Sequence, residues 1–127
     1  MKYTFYLLLC LFSLSVTAQN TSDVMSIDAV AEGEYEGMTF VEKPFEELLA
    51  QAKKESKVIF IDAYTTWCGP CKMMAAKVFP QEEVGKVYNE KFINAKFDME
   101  KGEGPGLAKR YSVMAYPTYL FVDGNGD

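Results

Sequence analysis

Residues 67–72 read Trp-Cys-Gly-Pro-Cys-Lys, and this stretch constrains the chain more than any other. Its two cysteines, separated by Gly69 and Pro70, follow the apolar run Val58-Ile59-Phe60-Ile61 and precede a helix-like stretch, Lys72 to Val78. The order is a strand, a tight turn, then a helix start that carries a thiol. A thiol there sits at the positive end of the helix dipole and faces unpaired backbone N–H groups. Both favour the thiolate, which is the nucleophilic form. Cys71 falls one helical turn further on and can reach Cys68 to close a disulfide. The stretch therefore reads as a two-electron thiol–disulfide switch.

Other uses of a cysteine pair fit less well. A structural zinc site needs four ligands, and the chain has no second CxxC and no histidine. The sequence thus offers no metal site. An attached haem needs a histidine after the second cysteine, and residue 72 is lysine. An iron–sulfur cluster lacks cysteines in the same way. A purely structural disulfide stays open as a reading, but loop-closure stabilisation is smallest across so short a loop.

Trp67-Cys68-Gly69-Pro70-Cys71-Lys72 after Val-Ile-Phe-Ile-Asp resembles the active site of the thioredoxin family. Asp62 lies where thioredoxins carry a buried acid, and Tyr116-Pro117-Thr118 resembles the family's cis-proline loop. Lys96 matches, more loosely, a family lysine near the acid. Ala76 departs from the family, which commonly has a kinking proline there, so a straighter helix is expected. The lysine-rich flanks are similar to a subgroup of exported thioredoxin-like proteins, akin to the periplasmic C-terminal domain of transmembrane disulfide reductases. The resemblance covers residues 39–127. It implies an α/β, three-layer thioredoxin-like fold with a central mixed sheet. Such domains continue with an edge strand and a C-terminal helix, so the resemblance implies that both are missing here.

A chain of 127 residues allows one domain, and 49% hydrophobic content with 14% aromatics suffices for a core. Residues 1–18 have the layout of a secretory signal peptide: Lys2, an apolar centre containing Cys10, and small residues ending at Ala18. The apolar run is shorter than the ~20 residues a membrane span takes. A lipid attached at Cys10 would need a small residue before it, where Leu9 stands. Residues 19–38 are polar and acidic and read as a linker or loose arm. Met38 to Val41 is expected to form a short first strand.

Pro44 to Glu55 reads as a helix with Phe45, Leu48, Leu49 and Ala52 on one apolar face. Val58 to Ala63 reads as a central buried strand, interrupted by Asp62. A charged, unpaired acid in such a run costs several kcal/mol. Burial also raises a carboxyl pKa towards the range useful for proton exchange. Gln81 to Tyr88 reads as a helix with Val84, Val87 and Tyr88 inward. Phe92 to Phe97 and Tyr119 to Val122 read as strands, the latter running into a turn at Asp123-Gly124-Asn125-Gly126.

The implied function is protein-disulfide reduction in an exported compartment, the periplasm of a Gram-negative bacterium. The resemblance assigns Cys68 as the exposed attacking thiolate, Cys71 as the thiol that releases the substrate, and Asp62 as proton acceptor, supported by Lys96. It assigns substrate contact to Trp67, Gly69, Pro70, Tyr116, Pro117 and Thr118. The implied partners are disulfide-containing proteins and a membrane electron donor of the disulfide-reductase type, since an oxidising compartment supplies no electrons of its own. No cofactor is implied. A net charge of −5 argues against nucleic acid. A disulfide oxidant or isomerase, and a redox-inert binding module on the same fold, are the competing readings.

Overall fold

Phe45–Glu55 forms α1 in the computed structural model, which describes residues 36–127. The leader expected at 1–18, with Cys10, and linker residues 19–35 lie outside the described residues. Pro44 stands at the N-cap of α1 and cannot cap it with a side chain. Glu103 supplies the missing acceptor: its carboxylate takes the Phe45 N–H at 3.1 Å. Glu46 and Glu47 in the first turn and Lys53 and Lys54 in the last complement the helix dipole. Phe45, Leu48, Leu49 and Ala52 are buried, as their spacing predicts.

β1 (Val58–Tyr64) is the middle strand of the sheet. It pairs parallel with β2 (Phe92–Asp98) and antiparallel with β3 (Thr118–Val122), giving the order β2-β1-β3. Alternation along β1 sends Ile59, Ile61 and Ala63 to one face, where α1 and α4 (Gly104–Arg110) cover them. It sends Phe60 and Asp62 to the other. There Phe60 packs with Phe79 and with residues of α2 (Gly69–Lys77) and α3 (Glu82–Lys91). Helices on both faces of a mixed sheet make the three layers that the sequence implies.

The sequence reading fails in two places outside the site. Residues 38–41 are not a strand. Val41 N–H donates to the Asn94 carbonyl at 2.8 Å, but Thr39 N–H donates to Asn89 Oδ1 and Asn94 Nδ2 donates to the Thr39 carbonyl. Asparagine side chains take the place of ladder bonds, so the segment lies beside β2 without extending the sheet. Met38, assigned to the linker, is buried against Phe60 and Phe79, and its N–H donates to the Phe79 carbonyl at 2.7 Å.

Val87 is the second miss: it is 44% exposed. α3 approaches the core through Gly85, which is buried against the backbone of Gly37, with Val84 and Tyr88 flanking it. Val87 lies to the side of that stripe. After β3 the chain does turn as expected, with Gly126 N–H donating to the Asp123 carbonyl and Asp123 N–H to that of Asp127, both at 3.0 Å.

Candidate functional site

The top of β1 runs through Thr65 and Thr66 into α2, and Cys68 is the N-cap of that helix. Cys68 Sγ accepts the N–H of Cys71 at 3.1 Å, so the sulfur satisfies one of the orphan donors of the first turn. Pro70 stands in that turn, where its missing N–H is not needed. Cys68 and Cys71 are joined by a disulfide, with their Cα atoms 5.3 Å apart. α2 is one uninterrupted helix, as Ala76 predicts.

Cys68 is 3% exposed, whereas the sequence reading had it open to solvent. Its sulfur, bonded to that of Cys71, lies over the first turn of α2 against the Cys71 amide. Exposure passes to the residues around it: Trp67, Gly69 and Pro70 form the rim.

Trp67 is 64% exposed, yet it is fixed at two points. Its indole N–H donates to Glu100 Oε1 at 3.0 Å, and its ring meets Tyr116 edge-on with centroids 5.9 Å apart. Tyr116 precedes Pro117 through a cis peptide bond, and the Thr118 hydroxyl donates to the Ala115 carbonyl at 2.7 Å. The fold thus brings the loop before β3 to the Trp67 side of the disulfide.

Asp62 is 4% exposed and points to the α2 side of the sheet. It lines a cavity of about 300 Å³ together with Thr65, Cys71, Lys72 and Lys96. Burial pushes its carboxyl up from the ordinary 3.8 to about 6, and the nearby Lys96 charge pulls it partly back. The carboxyl thus sits beside the inner cysteine and near neutrality, where an acid can both take and give a proton.

Sequence reasoning did not single out Glu100, Thr65 or Tyr119. Glu100 lies in an acidic stretch with nothing to mark it as the indole's acceptor. Tyr119 is directly across the ladder from Asp62, which alternation could have shown only once the β1–β3 register was known. Among the described residues no group of three His, Cys, Asp or Glu side chains is placed to hold a metal ion.

The family model described as Thioredoxin matches residues 37–127. The chain belongs to the thioredoxin family. Its fold is similar to the solution structure of a proposed disulphide isomerase from Bacteroides thetaiotaomicron. That match has a TM-score of 0.65 and 48% identity, and covers 72% of this chain and 76% of that one. A thioredoxin from Staphylococcus aureus is 42% identical over 74 residues, covering 58% of this chain and 66% of the relative. Thioredoxin-1 from Drosophila melanogaster is 38% identical over 71 residues, covering 56% of this chain and 62% of the relative. The chain therefore spans less than two thirds of the length of these two curated thioredoxins.

Proposed function

We propose that this thioredoxin-family chain is a thiol–disulfide oxidoreductase that reduces protein disulfides through Cys68 and Cys71. The observation that carries this reading is the pairing of the two cysteines across the first turn of α2, with the buried Asp62 beside the inner one. In the reduced protein the Cys68 thiolate attacks a substrate disulfide. One sulfur–sulfur bond forms to Cys68, and the other substrate sulfur leaves as a thiolate. Cys71 then gives its proton towards Asp62 and attacks the Cys68 sulfur. The Cys68–Cys71 bond forms, the mixed disulfide breaks, and the substrate departs carrying two electrons. Glu100 holds Trp67 beside the disulfide, and Trp67, Tyr116, Pro117 and Thr118 offer the partner an aromatic wall and an extended edge.

Support for a compartment and a donor comes from the sequence. The charged start, apolar centre and Ala18 ending support export, and we assign the mature protein to the periplasm of a Gram-negative bacterium. A reductase there is recharged by a membrane electron donor. A second reading, disulfide isomerase or oxidant, is favoured by the likeness to the proposed isomerase from Bacteroides thetaiotaomicron.

Insulin reduction by the purified protein tests for the activity, and the midpoint potential of the Cys68–Cys71 couple tests for its direction. A potential near that of thioredoxin, about −270 mV, supports the reductase; one near about −120 mV makes the protein an oxidant. No reduction of insulin at any potential leaves a redox-inert binding module. Fractionation of the native host for the mature chain tests the compartment.

A further inference from the structure

Asp62 and Tyr119 are opposite one another in the antiparallel β1–β3 ladder. Side chains directly opposite stand on the same face of a sheet, with Cβ atoms roughly 5 Å apart. Both end in buried polar atoms: Asp62 Oδ1 and the Tyr119 hydroxyl are each enclosed without a hydrogen-bond partner. Buried polar atoms are rarely left so, because each unmet one costs about 1–3 kcal/mol. The ring of Tyr119 is well packed, with centroids 5.5 Å from Phe60 and 6.2 Å from Phe79. Phenylalanine would fill that place as well, so packing does not call for the hydroxyl.

We propose that the Tyr119 hydroxyl is a positioning group for Asp62, donating through one bridging water to the ionised carboxylate that then takes the proton of Cys71. This rests on the thiol–disulfide exchange reading above. The chemistry fits both partners. A phenol is a donor and a carboxylate an acceptor, and one water reaching both of these unpartnered atoms on the same sheet face would complete what each lacks. A hydrogen bond to the charged form favours that form. The other titratable groups facing the pair are Lys96 from β2, Cys71 and Lys72 from α2, Tyr64 from β1 itself, and Tyr88 from α3. Lys96 and Tyr119 approach the carboxyl from opposite neighbouring strands. The Tyr119 phenol in turn is pushed up, first by burial and then by the Asp62 charge.

The test is a titration of the Asp62 carboxyl carbon by NMR in the oxidised protein, in wild type and in Tyr119→Phe. Loss of the donor is expected to move the Asp62 midpoint upward by about one pH unit, a tenfold fall in the ratio of ionised to neutral carboxyl at fixed pH. A midpoint that stays put in a folded Tyr119→Phe overturns the proposal. A second readout needs no folded tyrosine variant. In wild type the ring carbon bearing the Tyr119 hydroxyl should show an inflection at the Asp62 midpoint, lost in Asp62→Asn. A flat Tyr119 signal through that range overturns the proposal equally. Both titrations read the resting oxidised protein. Failure of the oxidoreductase reading would appear instead as a protein that titrates as expected and reduces no disulfide.

Discussion

Asp62 on β1 and Lys96 on β2 are register partners in the parallel ladder, yet they form no ion pair. The Lys96 ammonium lies 5.7 Å from the centre of the Phe40 ring instead. Its charge therefore acts on the carboxyl from a distance: it opposes burial without cancelling it, and the acid settles at about 6. A contact ion pair would have held Asp62 ionised across the physiological range and unable to accept a proton.

Lys96→Met keeps an apolar stem over Phe40 and removes the charge. The Asp62 midpoint is expected to rise further above about 6. The pH at which substrate release from the mixed disulfide is half-maximal should rise with it. Carboxyl-carbon NMR and stopped-flow kinetics read the two quantities. A midpoint that falls or stays constant would show that Lys96 is not felt at the carboxyl.

Asp62→Asn should stabilise the fold, with a pH dependence fixed by the direction of the shift. The carboxyl titrates near 3.8 when unfolded and at about 6 when folded. Below 3.8 both states are protonated and Asp62 costs nothing. As pH rises, the unfolded chain releases its proton first, so stability falls until the folded group ionises too. Above about 6 the full cost, about 3 kcal/mol, is in place. The asparagine variant should therefore exceed wild type by about that amount near pH 8 and match it near pH 3, while exchanging thiols more slowly. Urea denaturation at several pH values measures the stability. A constant difference between the two proteins would contradict the argument.

Much of this arrangement was legible beforehand, and the failures have physical causes. Phe45, Leu48, Leu49 and Ala52 read correctly because a helix face depends only on local period. Cys68 at the head of α2 read correctly because a strand, a tight turn and a helix start follow each other in order. Residues 38–41 misled because whether an extended segment joins a sheet depends on its neighbour. Here Asn89 and Asn94 took the bonds that a strand would have used. The exposure of Cys68 misled because it depends on what surrounds the sulfur, here the disulfide to Cys71 and the Cys71 amide, and not on position in the helix alone. Tyr119 and Glu100 escaped because their roles rest on contacts across the ladder and across 33 residues of chain.

The two cysteines should divide their roles as their places in the helix suggest. Cys68 heads α2 among exposed residues, and Cys71 faces the Asp62 cavity. In Cys71→Ser the attacking thiol remains and the releasing thiol is gone, so mixed disulfides with partner proteins should accumulate. In Cys68→Ser they should not. Near neutral pH, alkylation of the reduced wild type should label Cys68 first. Non-reducing gels and peptide mapping read both outcomes, and equal trapping by the two variants would mean that either thiol can attack.

Two glycines give opposite expectations for the same substitution. A Cβ on Gly69 would meet nothing, since the space above the first turn of α2 is open. Gly69→Ala should leave the melting temperature and the Cys68–Cys71 disulfide unchanged. The added methyl stands where a partner's chain would approach Cys68, so reduction of a protein disulfide should slow while that of a small-molecule disulfide does not. A Cβ on Gly85 would instead overlap the carbonyl and Cα of Gly37, which are backbone atoms and cannot rotate away. Gly37 is itself held, with φ of 65° and its carbonyl accepting from Asn89 at 2.9 Å. Gly85→Ala must push α3 off residues 37–38, at a cost of about 1–3 kcal/mol for overpacking. Thermal melts of the two variants, with insulin and a small aromatic disulfide as substrates, separate the cases. A Gly85→Ala protein as stable as wild type would show that α3 and the Gly37 segment are not in contact in solution. A Gly69→Ala protein slowed equally on both substrates would move the partner's approach away from the head of α2.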